Sequence, residues 1–216
     1  MFNILRPLIF KFSPEFAHSL AIKALKLNNI SYSKPKDSHI LETTFCDKIL
    51  PSPIGVAAGF DKNAEVYNPL FNLGFGFVEV GTITPKAQFG NPKPRVFRLE
   101  EDEALINRLG FNNSGSDEIS KRIKENIKKG FLGINIGPNK DSTNRISDYL
   151  ICFRKFHNLA DYITINISSP NTENLRDFHN RNELNSLIDK LKKEKKELNS
   201  DVPVSYTHLT LPTTEA

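Results

Sequence analysis

The chain has 216 residues, of which 38% are hydrophobic and 16 are phenylalanine, so it can bury the core of one or two domains. Its formal net charge is +4 at pH 7, but the lysines are dispersed or mixed with glutamate, as in DKLKKEKKEL, which is typical of a solvated helix face and argues against nucleic-acid binding. Cys46 and Cys152 lie far apart without metal-ligand spacing, so neither a disulfide framework nor a metal site is indicated.

The amino-terminal 27 residues, MFNILRPLIFKFSPEFAHSLAIKALKL, combine apolar runs with charges. Arg6, Lys11 and Glu15 interrupt these runs, which leaves no apolar stretch long enough for a helix that crosses a bilayer. No A-x-A cleavage site follows a clean apolar stretch, so a secretory signal peptide is not indicated. The segment is expected to be amphipathic.

Ser13 and Pro14 form the sequence signature of a helix N-cap followed by a first-turn proline. Apolar residues then recur at helical spacing: Phe16, Leu20, Ala24 and Leu27. Two interpretations remain open for this helix. It either packs its apolar face on the protein body, or lies on a membrane surface with that face in the lipid interface.

After residue 40, strand-like apolar runs alternate with segments of helical periodicity. The runs are IGVAA (54–58), FVEVGTI (77–83), FLGINIG (131–137) and YITINIS (162–168). Between the second and third runs, a capped helix is predicted from Ser116 to Gly130, with a stripe of Ile119, Ile123 and Ile127. Another stripe lies between the third and fourth runs: Ile146, Tyr149, Leu150 and Phe153.

Near-continuous Val and Ile runs predict a parallel sheet covered on both faces, as in a doubly wound sheet or a (β/α)8 barrel. Each run places special residues at or near its carboxyl end: Ala57, Ala58, Gly59, Lys62, Thr82, Asn135 and 166–171. A barrel builds its site from such strand ends at one face. No G-x-G-x-x-G motif follows the first run, so the barrel is favoured over a dinucleotide-binding sheet.

Six motifs resemble those of the class 2, quinone-dependent dihydroorotate dehydrogenase family. They are GVAAGFDKNAE, FGFVEVGTITPKAQFGNPKPRVFRL, LINRLGFNNSG, LGINIGPNKD, DYLICF and INISSPNTENLR, and they occur in the family's order and spacing from about residue 1 to about residue 203. The resemblance implies a flavoprotein in which FMN lies at the mouth of a (β/α)8 barrel. It also implies oxidation of dihydroorotate to orotate in pyrimidine biosynthesis, with a quinone reoxidising the flavin.

Ser169 resembles the family's catalytic base, where the soluble class 1 enzymes have a cysteine. A neutral serine is a poor base in water, so it requires a dry, prearranged pocket in which its own proton leaves along a relay. Thr172 and an ordered water are the relay partners that we expect. Without the other motifs, Ser169 would be interpreted as a turn or N-cap serine.

The resemblance also implies two sets of binding residues. The residues expected to contact FMN are Ala57, Ala58, Gly59, Lys62, Thr82, Asn135 and Asn166. The residues expected to bind the substrate are Lys62, Asn107, Arg108, Leu109, Gly110, Phe111, Asn166 and Asn171. A lysine ammonium suits both an anionic substrate and negative charge that develops on a flavin, and asparagine amides match the imide edge of a pyrimidine.

The amino-terminal helices of the family form a hydrophobic tunnel that leads quinone from the lipid to the flavin. His18 and Arg95 are weaker candidates for lining that tunnel, and His18 is equally well interpreted as a packed helix residue. No transit peptide or spanning segment precedes the helices. The resemblance therefore implies a peripheral protein on the cytoplasmic side of a bacterial inner membrane.

The carboxyl terminus departs from the family pattern. After DVPV the sequence reads SYTHLTLPTTEA, for which neither a helix nor a strand is predicted, and which resembles a foreign tail. We expect three regions: a helical membrane and quinone region (1–38), the first half of an FMN-binding barrel (39–204) and a non-native tail (205–216). Two alternatives stay open, namely a non-catalytic truncated fragment and another FMN barrel acting on a pyrimidine.

Overall fold

A computed structural model describes residues 2–27 and 38–207. Two helices come first, α1 (Phe2–Phe10) and α2 (Pro14–Leu27), and a 3-10 turn (Ser38–Leu41) follows. The strands are β1 (Thr43–Phe45), β2 (Lys48–Leu50), β3 (Gly55–Val56), β4 (Phe77–Ile83), β5 (Val96–Leu99), β6 (Ala104–Asn107), β7 (Phe131–Ile136), β8 (Tyr162–Asn166) and β9 (Val204–Thr207). The remaining helices are α3 (Tyr67–Asn72), α4 (Ser116–Glu125), α5 (Arg145–Phe156) and α6 (Arg181–Glu197), with a 3-10 turn at Leu175–His179.

Five strands form a parallel sheet in the order β3-β4-β7-β8-β9. The pairing sets Val78 opposite Leu132, Ile134 opposite Ile163, and Ile163 opposite Val204. Helices α3, α4, α5 and α6 each connect one strand of this sheet to the next. The repeated strand and helix units are those of a (β/α)8 barrel, of which the described residues form a part, as the sequence analysis expected.

The outward face of the sheet is apolar. Its valine and isoleucine side chains are fully buried in one cluster with the aromatic residues of α5: Val78, Val80, Ile134, Ile163, Ile165, Tyr149, Phe153 and Phe156. Successive side chains of a strand point to opposite faces, so the residues between these aliphatic positions point into the barrel. There the strands carry Glu79, Asn135 and Thr164, and this inner face is polar.

Two antiparallel hairpins were not anticipated. The β1–β2 hairpin covers the amino-terminal end of the sheet, where the ring of Phe45 lies 5.7 Å from those of both Phe131 and Tyr162. Lys48 of β2 donates to Asp161 at 2.6 Å and fastens the hairpin beside the start of β8. The β5–β6 hairpin extends from the opposite end of the sheet, and all four residues of β6 are exposed.

The predicted runs all contain strands of the parallel sheet, but two details of the α4 prediction were wrong. The helix ends at Glu125 instead of continuing to Gly130, and Ile127 lies outside it with 89% of its surface exposed. The N-cap is Gly115, at φ 85°, and Ser116 is the first helical residue, whose hydroxyl donates to Pro85 O at 3.0 Å. The chain leaves the helix at Asn126, whose backbone is extended, with φ −118° and ψ 108°.

The amino-terminal helix α2 begins at Pro14 as predicted, and Ser13 Oγ accepts from Phe16 N at 3.4 Å. Its predicted apolar stripe points outward, since Phe16 and Leu20 are 54% and 50% exposed. The helix contacts the core through Ile22 instead, which is buried. Within the described residues, no helix combines the length and apolarity needed to cross a membrane.

The fifth strand corrects the expectation for the carboxyl end. β9 continues to Thr207, three residues into the segment that was expected to lack a strand, and it pairs with β8 from Val204 to Thr207. The fourth predicted strand, β8, therefore has a neighbour on each side. The rest of the expected tail, 208–216, lies outside the described residues, as does 28–37 of the expected helical region.

Candidate active site

Three predicted residues meet where β4, β7 and β8 end. Thr82 Oγ1 donates to Asn135 Oδ1 at 2.7 Å, and Asn166 Nδ2 donates to Thr82 Oγ1 at 3.0 Å and to Asn135 Oδ1 at 3.2 Å. Thr82 and Asn135 are buried, and Asn166 is partly exposed. The parallel sheet brings them together because carboxyl ends of its strands lie at one edge. We name this group the strand-end triad.

The loop after β3 approaches the triad from the neighbouring strand. It carries Ala57, Ala58, Gly59 and Lys62. Gly59 has φ 107°, a conformation that favours glycine, and nothing lies within 4 Å of the position that a Cβ would occupy there. Lys62 Nζ donates to Gly59 O, and burial lowers the pKa of its ammonium, with nearby Arg95 acting in the same direction.

Asp61, which was not predicted as a site residue, holds the loop after β3 in place. Its carboxylate accepts from Glu65 N and Val66 N, each at 2.7 Å. Its backbone carbonyl accepts from Gly81 N at 3.1 Å, and Gly59 N donates to Gly81 O at 2.8 Å, which ties the loop to β4. Burial raises the pKa of Asp61, partly offset by the two backbone donors. An acidic residue one position before Lys62 was the available signal.

The predicted substrate segment, 107–111, begins at the last residue of β6 and ends with Phe111 beside the end of β7, where a Cβ at Gly137 would lie 3.0 Å from Phe111 Cε2. Gly110 and Phe111 both adopt positive φ, 72° and 53°, which turns the chain back toward the strand ends. Asn107 is exposed, and its Oδ1 accepts from Leu109 N at 3.4 Å. The side chain of Arg108 is directed elsewhere, since its Nη2 donates to Pro94 O at 2.9 Å.

Two further asparagines fix the loops beside this segment. Asn113 Nδ2 donates to Thr84 Oγ1 and to Phe111 O, each at 2.8 Å, and so holds the turn at Phe111. Asn139 Nδ2 donates to Lys86 O at 2.9 Å and to Gln88 Oε1 at 2.9 Å. Both residues lie in quoted motifs, Asn113 in LINRLGFNNSG and Asn139 in LGINIGPNKD. Paired asparagines, and an asparagine after a proline, are also ordinary turn formers, so neither residue was selected.

The predicted base lies in the loop after β8. Ser169 is partly exposed, and its Oγ accepts from Asn171 N at 3.2 Å, a local turn contact. Ser168 Oγ donates to Asn166 Oδ1 at 3.4 Å, which connects this loop to the triad. Thr172, the expected relay partner, is buried. The structure thus places Ser169 at the correct edge of the sheet, and its role as a base stays a prediction.

A cavity of about 920 Å³ extends from Lys62 and Asn107 to helix α2. His18 lines it and donates through Nε2 to Phe60 O at 2.7 Å, because a carbonyl can only accept. Burial lowers the pKa of His18. The cavity therefore connects the amino-terminal helices to the strand-end loop that carries Lys62.

The two arginines of KPRVFRL differ in their contacts along this cavity. Arg95, the predicted one, is 6% exposed and directs Nε and Nη2 at Glu15 Oε1, at 3.0 and 2.9 Å. Arg98, which was not predicted, donates to Phe12 O at 2.8 Å, and its guanidinium lies 4.6 Å from the centre of the Phe10 ring. Arg95 thus joins α2 to the hairpin, and Arg98 borders the cavity where α1 meets α2.

The model of the dihydroorotate dehydrogenase family matches residues 40–208, more than half of the chain. The chain belongs to the dihydroorotate dehydrogenase family. It is 50% identical over 192 residues to the dihydroorotate dehydrogenase (quinone) of Bartonella tribocorum, which covers 89% of this chain and 53% of that protein. It is 46% identical over 219 residues to the protein of the same name from Nitrosomonas europaea, which covers 98% of this chain and 62% of that protein.

A solved dihydroorotate dehydrogenase has the same fold. The crystal structure of the Eimeria tenella DHODH in complex with ferulenol superposes with a TM-score of 0.80 at 41% identity, over 86% of this chain and 52% of that one. The family resemblance drawn from the six motifs is thereby confirmed. The chain spans about half the length of the relatives that it matches, between 52% and 62% in these three comparisons.

The strand-end residues of this chain fit the flavin that the family resemblance implies. Gly59 leaves open space beside the cavity, and the neighbouring Ala57 and Ala58 add only methyl groups, so a flat ring can approach the backbone there. The strand-end triad and Lys62 supply hydroxyl, amide and ammonium groups on the adjoining side. Among the described residues, no group of three or more His, Cys, Asp or Glu side chains is placed to hold a metal ion.

Proposed function

We propose that the protein to which this chain belongs oxidises dihydroorotate to orotate, with FMN as cofactor and a quinone as final acceptor. The observation that carries the proposal is the arrangement at one sheet edge, where the strand-end triad, the Ser169 loop bonded to it and the Lys62 loop tied to β4 lie together. Membership of the family supports the reaction, and so does the name of two relatives, dihydroorotate dehydrogenase (quinone). We call this protein, in its complete length, the whole protein.

FMN, when bound, supplies the acceptor for the hydride that leaves C6 of dihydroorotate. The chain's own residues would hold it: Ala57, Ala58 and Gly59 would leave room for its ring, and Thr82, Asn135 and Asn166 would provide polar groups. Lys62 adds a positive charge, which stabilises negative charge developing on a reduced ring. Burial lowers the pKa of this ammonium, and an anion bound beside it would raise that pKa again.

Ser169 removes the proton from C5 of the substrate in this proposal. Its Oγ already accepts one hydrogen bond, from Asn171 N, and as a hydroxyl it has a second lone pair for the incoming proton. The hydroxyl proton must leave as the substrate proton arrives, and the buried Thr172 is the neighbouring group through which it can leave. A closed pocket favours this transfer because water would otherwise solvate the serine and the substrate anion.

Substrate recognition rests on one charge and several amides. The Lys62 ammonium pairs with the substrate carboxylate. Asn107, Asn166 and Asn171 present amides to the imide edge of the substrate. The backbone of 108–111 borders the substrate site. Each asparagine amide offers donors and an acceptor on one plane, which matches the alternating groups of a pyrimidine ring.

The quinone approaches from the side of helix α2 in this proposal. The cavity from α2 to Lys62 supports such a path, and the outward Phe16 and Leu20 support association with a lipid surface. We therefore propose that the whole protein is peripheral to the inner membrane, on its cytoplasmic side.

The test is purification of the whole protein from a membrane fraction. We expect yellow protein with one FMN per chain, bleaching of the flavin by dihydroorotate without oxygen, and return of the colour on addition of a quinone. A dihydropyrimidine or dihydrouridine that bleaches the flavin faster than dihydroorotate would contradict the substrate. Reoxidation by a nicotinamide nucleotide but not by quinone would contradict the acceptor.

A further inference from the structure

One carboxylate lies inside the barrel, below the strand-end triad. Glu79 is in the middle of β4, on the inner face, and three groups of the neighbouring strands donate to it. Asn135 Nδ2 donates to Oε1 at 2.8 Å, while Tyr162 Oη and Thr164 Oγ1 donate to Oε2 at 2.8 and 2.9 Å. A partly buried carboxylate with three donors is well satisfied, and Glu79 was not selected as a site residue although it lies in the motif FGFVEVGTITPKAQFGNPKPRVFRL.

The register of the sheet explains how Tyr162 reaches this carboxylate. Glu79 pairs with Gly133 of β7, and Gly133 pairs with Tyr162 of β8. A Cβ at Gly133 would lie 2.2 Å from Cζ of Tyr162, so only glycine leaves room for the ring to cross β7 toward Glu79. The phenol remains protonated there, because burial and the neighbouring Glu79 carboxylate both raise its pKa.

An ionised carboxylate can only accept hydrogen bonds, and this fixes the direction of every bond above it. Asn135 must turn its Nδ2 toward Glu79, which leaves Oδ1 facing the strand ends. That oxygen accepts from Thr82 Oγ1 at 2.7 Å and from Asn166 Nδ2 at 3.2 Å. Since the single hydroxyl hydrogen of Thr82 is used toward Asn135, Thr82 Oγ1 accepts from Asn166 Nδ2 at 3.0 Å.

The hydrogen bonds whose direction Glu79 fixes continue to the fifth strand, β9. Thr164 uses its hydrogen toward Glu79, so the 2.9 Å contact with Ser205 Oγ has Ser205 as the donor. At the strand ends, Asn166 turns its Nδ2 to the triad and its Oδ1 away, where it accepts from Thr207 Oγ1 at 3.2 Å. One charge thus orders the polar groups of four strands.

We infer that Glu79 is a positioning residue of the flavin site: its negative charge fixes the amide of Asn135, and through it Thr82 and Asn166, in the single orientation that binds the flavin. The inference rests on the proposed function only in naming the flavin as the ligand of the triad. Glu79 itself lies beneath the triad and acts through Asn135.

Glu79→Gln is the sharpest variant, because it keeps the shape and removes the charge. A glutamine amide can donate as well as accept, so Asn135 can turn over and the triad loses its single orientation. We expect FMN to bind the whole protein roughly tenfold more weakly, since hydrogen bonds to charged groups are the stronger ones. Flavin fluorescence titration measures the dissociation constant, and the visible absorption bands of the bound flavin should shift.

Three control variants separate an effect of Glu79 on the orientation of Asn135 from an effect on the stability of the fold. Glu79→Asp keeps an acceptor-only carboxylate and should restore affinity above that of Glu79→Gln. Tyr162→Phe removes one donor from the same carboxylate but leaves its charge, so flavin affinity should stay within about twofold of the wild type, even though the urea midpoint falls. In an Asn135→Ala background, Glu79→Gln should add little, because residues that act through one another are not additive.

Side-chain amide NMR gives a test that needs no flavin. In the flavin-free whole protein, the Asn135 amide, assigned by its loss in Asn135→Ala, should give one sharp pair of resonances that Glu79→Gln broadens or doubles. An averaged Asn135 amide in the wild type would overturn the inference without any variant. So would equal flavin affinity in Glu79→Gln and the wild type, or an unchanged effect of Glu79→Gln in the Asn135→Ala background. A wild-type protein that binds no FMN but has the single Asn135 orientation would contradict the proposed function and leave the positioning role of Glu79 supported.

Discussion

The two faces of the parallel sheet are built from the same strands and differ in what holds them together. The outer face consists of Val78, Val80, Ile134 and Ile163, all fully buried against the helices. The inner face carries the Glu79 network and the strand-end triad, which are held by directed hydrogen bonds. Burial of apolar area is non-directional, so the outer face depends on how completely its volume is filled and not on the orientation of single atoms. The inner face fixes the orientation of individual atoms, which is what a binding site requires.

The chain of 216 residues expressed alone is the most severe test of this comparison. Its outer face is largely covered, but the inner face is formed by five strands of a barrel fold, and barrel enzymes bind phosphate after strands seven and eight. We expect poorly soluble or molten, colourless protein that does not oxidise dihydroorotate. Each unpaired buried backbone group along the edges of β3 and β9 costs about 1–3 kcal/mol. A visible spectrum decides: a yellow, FMN-loaded, active monomer would show that five strands suffice.

Ile134 and Asn135 are neighbours on opposite faces, and substituting each by alanine compares the faces directly. Ile134→Ala should lower the free energy of unfolding of the whole protein by about 2–5 kcal/mol, because it leaves a cavity in the outer core. The flavin affinity of the folded protein should not change. Asn135→Ala should instead weaken FMN binding, with a smaller loss of stability. Urea unfolding and flavin titration of both variants measure the contrast, which fails if Ile134→Ala weakens FMN binding as strongly as Asn135→Ala.

The inner face was also harder to predict from the sequence than the outer face. Apolar runs rich in Val and Ile located β4, β7 and β8, because a buried strand face leaves a trace in the sequence. Glu79 was overlooked, although the pattern V-E-V puts a charge in the middle of a buried strand. Its partners come from β7 and β8, and only the register brings Asn135 and Tyr162 to it. Sequence spacing carries no information on such pairings.

Elements with little burial left no clear trace in the sequence. All four residues of β6 are exposed, so the β5–β6 hairpin shows no alternation and was not predicted. The family resemblance supplied the triad and Lys62, which the structure brings to one edge. It did not supply Asp61, Asn113 or Asn139, whose role is to fix loop backbones in place. Loop-fixing residues are recognised only when their backbone partners are known.

Ser169→Ala tests the proposed proton transfer at the carboxyl ends of the strands, without altering either face of the sheet. In the whole protein, flavin reduction by dihydroorotate should slow by roughly 100-fold or more, because the proton acceptor is lost. FMN should remain bound, since the only side-chain hydrogen bond of Ser169 in the described residues is the one from Asn171 N. Anaerobic stopped-flow measurement of flavin bleaching reports this step. Bleaching at the wild-type rate in Ser169→Ala would remove Ser169 from the role of base.

Helices α1 and α2 carry apolar side chains that cover neither face of the sheet. Removing the two helices tests whether these side chains hold the protein on a membrane. Deleting residues 1–30 should release the whole protein into the soluble fraction, because Phe16, Leu20 and Leu27 are exposed. Reduction of quinone should fall more than reduction of the flavin by dihydroorotate. An equal loss of both half-reactions would indicate general destabilisation, which loss of the Glu15–Arg95 pair could cause.

The smallest expected effect concerns the point where helix α2 meets the inner edge, through the bond from His18 to Phe60 O. Burial lowers the pKa of His18 below its ordinary value of 6.5, and the nearby Lys62 charge acts in the same direction, while the Phe60 carbonyl, Asp61 and Glu15 oppose it. We call α2 docked when it is packed against Phe60 and undocked when it is detached. In the docked state His18 thus binds a proton less readily than in the undocked state. Docking is therefore fully stable above pH 6.5 and weakens as the pH falls below that value.

Hydrogen exchange of the α2 amides measures this docking directly. After correction for the intrinsic exchange rate, protection around Ile22 in the wild type should be lower in mildly acidic buffer than in neutral buffer. His18→Gln keeps a donor for Phe60 O but cannot titrate, so its protection should depend less on pH. The difference between the two proteins isolates the histidine from the carboxylates of Glu15 and Asp61, which both retain. An identical pH dependence in His18→Gln would assign the effect to those carboxylates and remove His18 as its source.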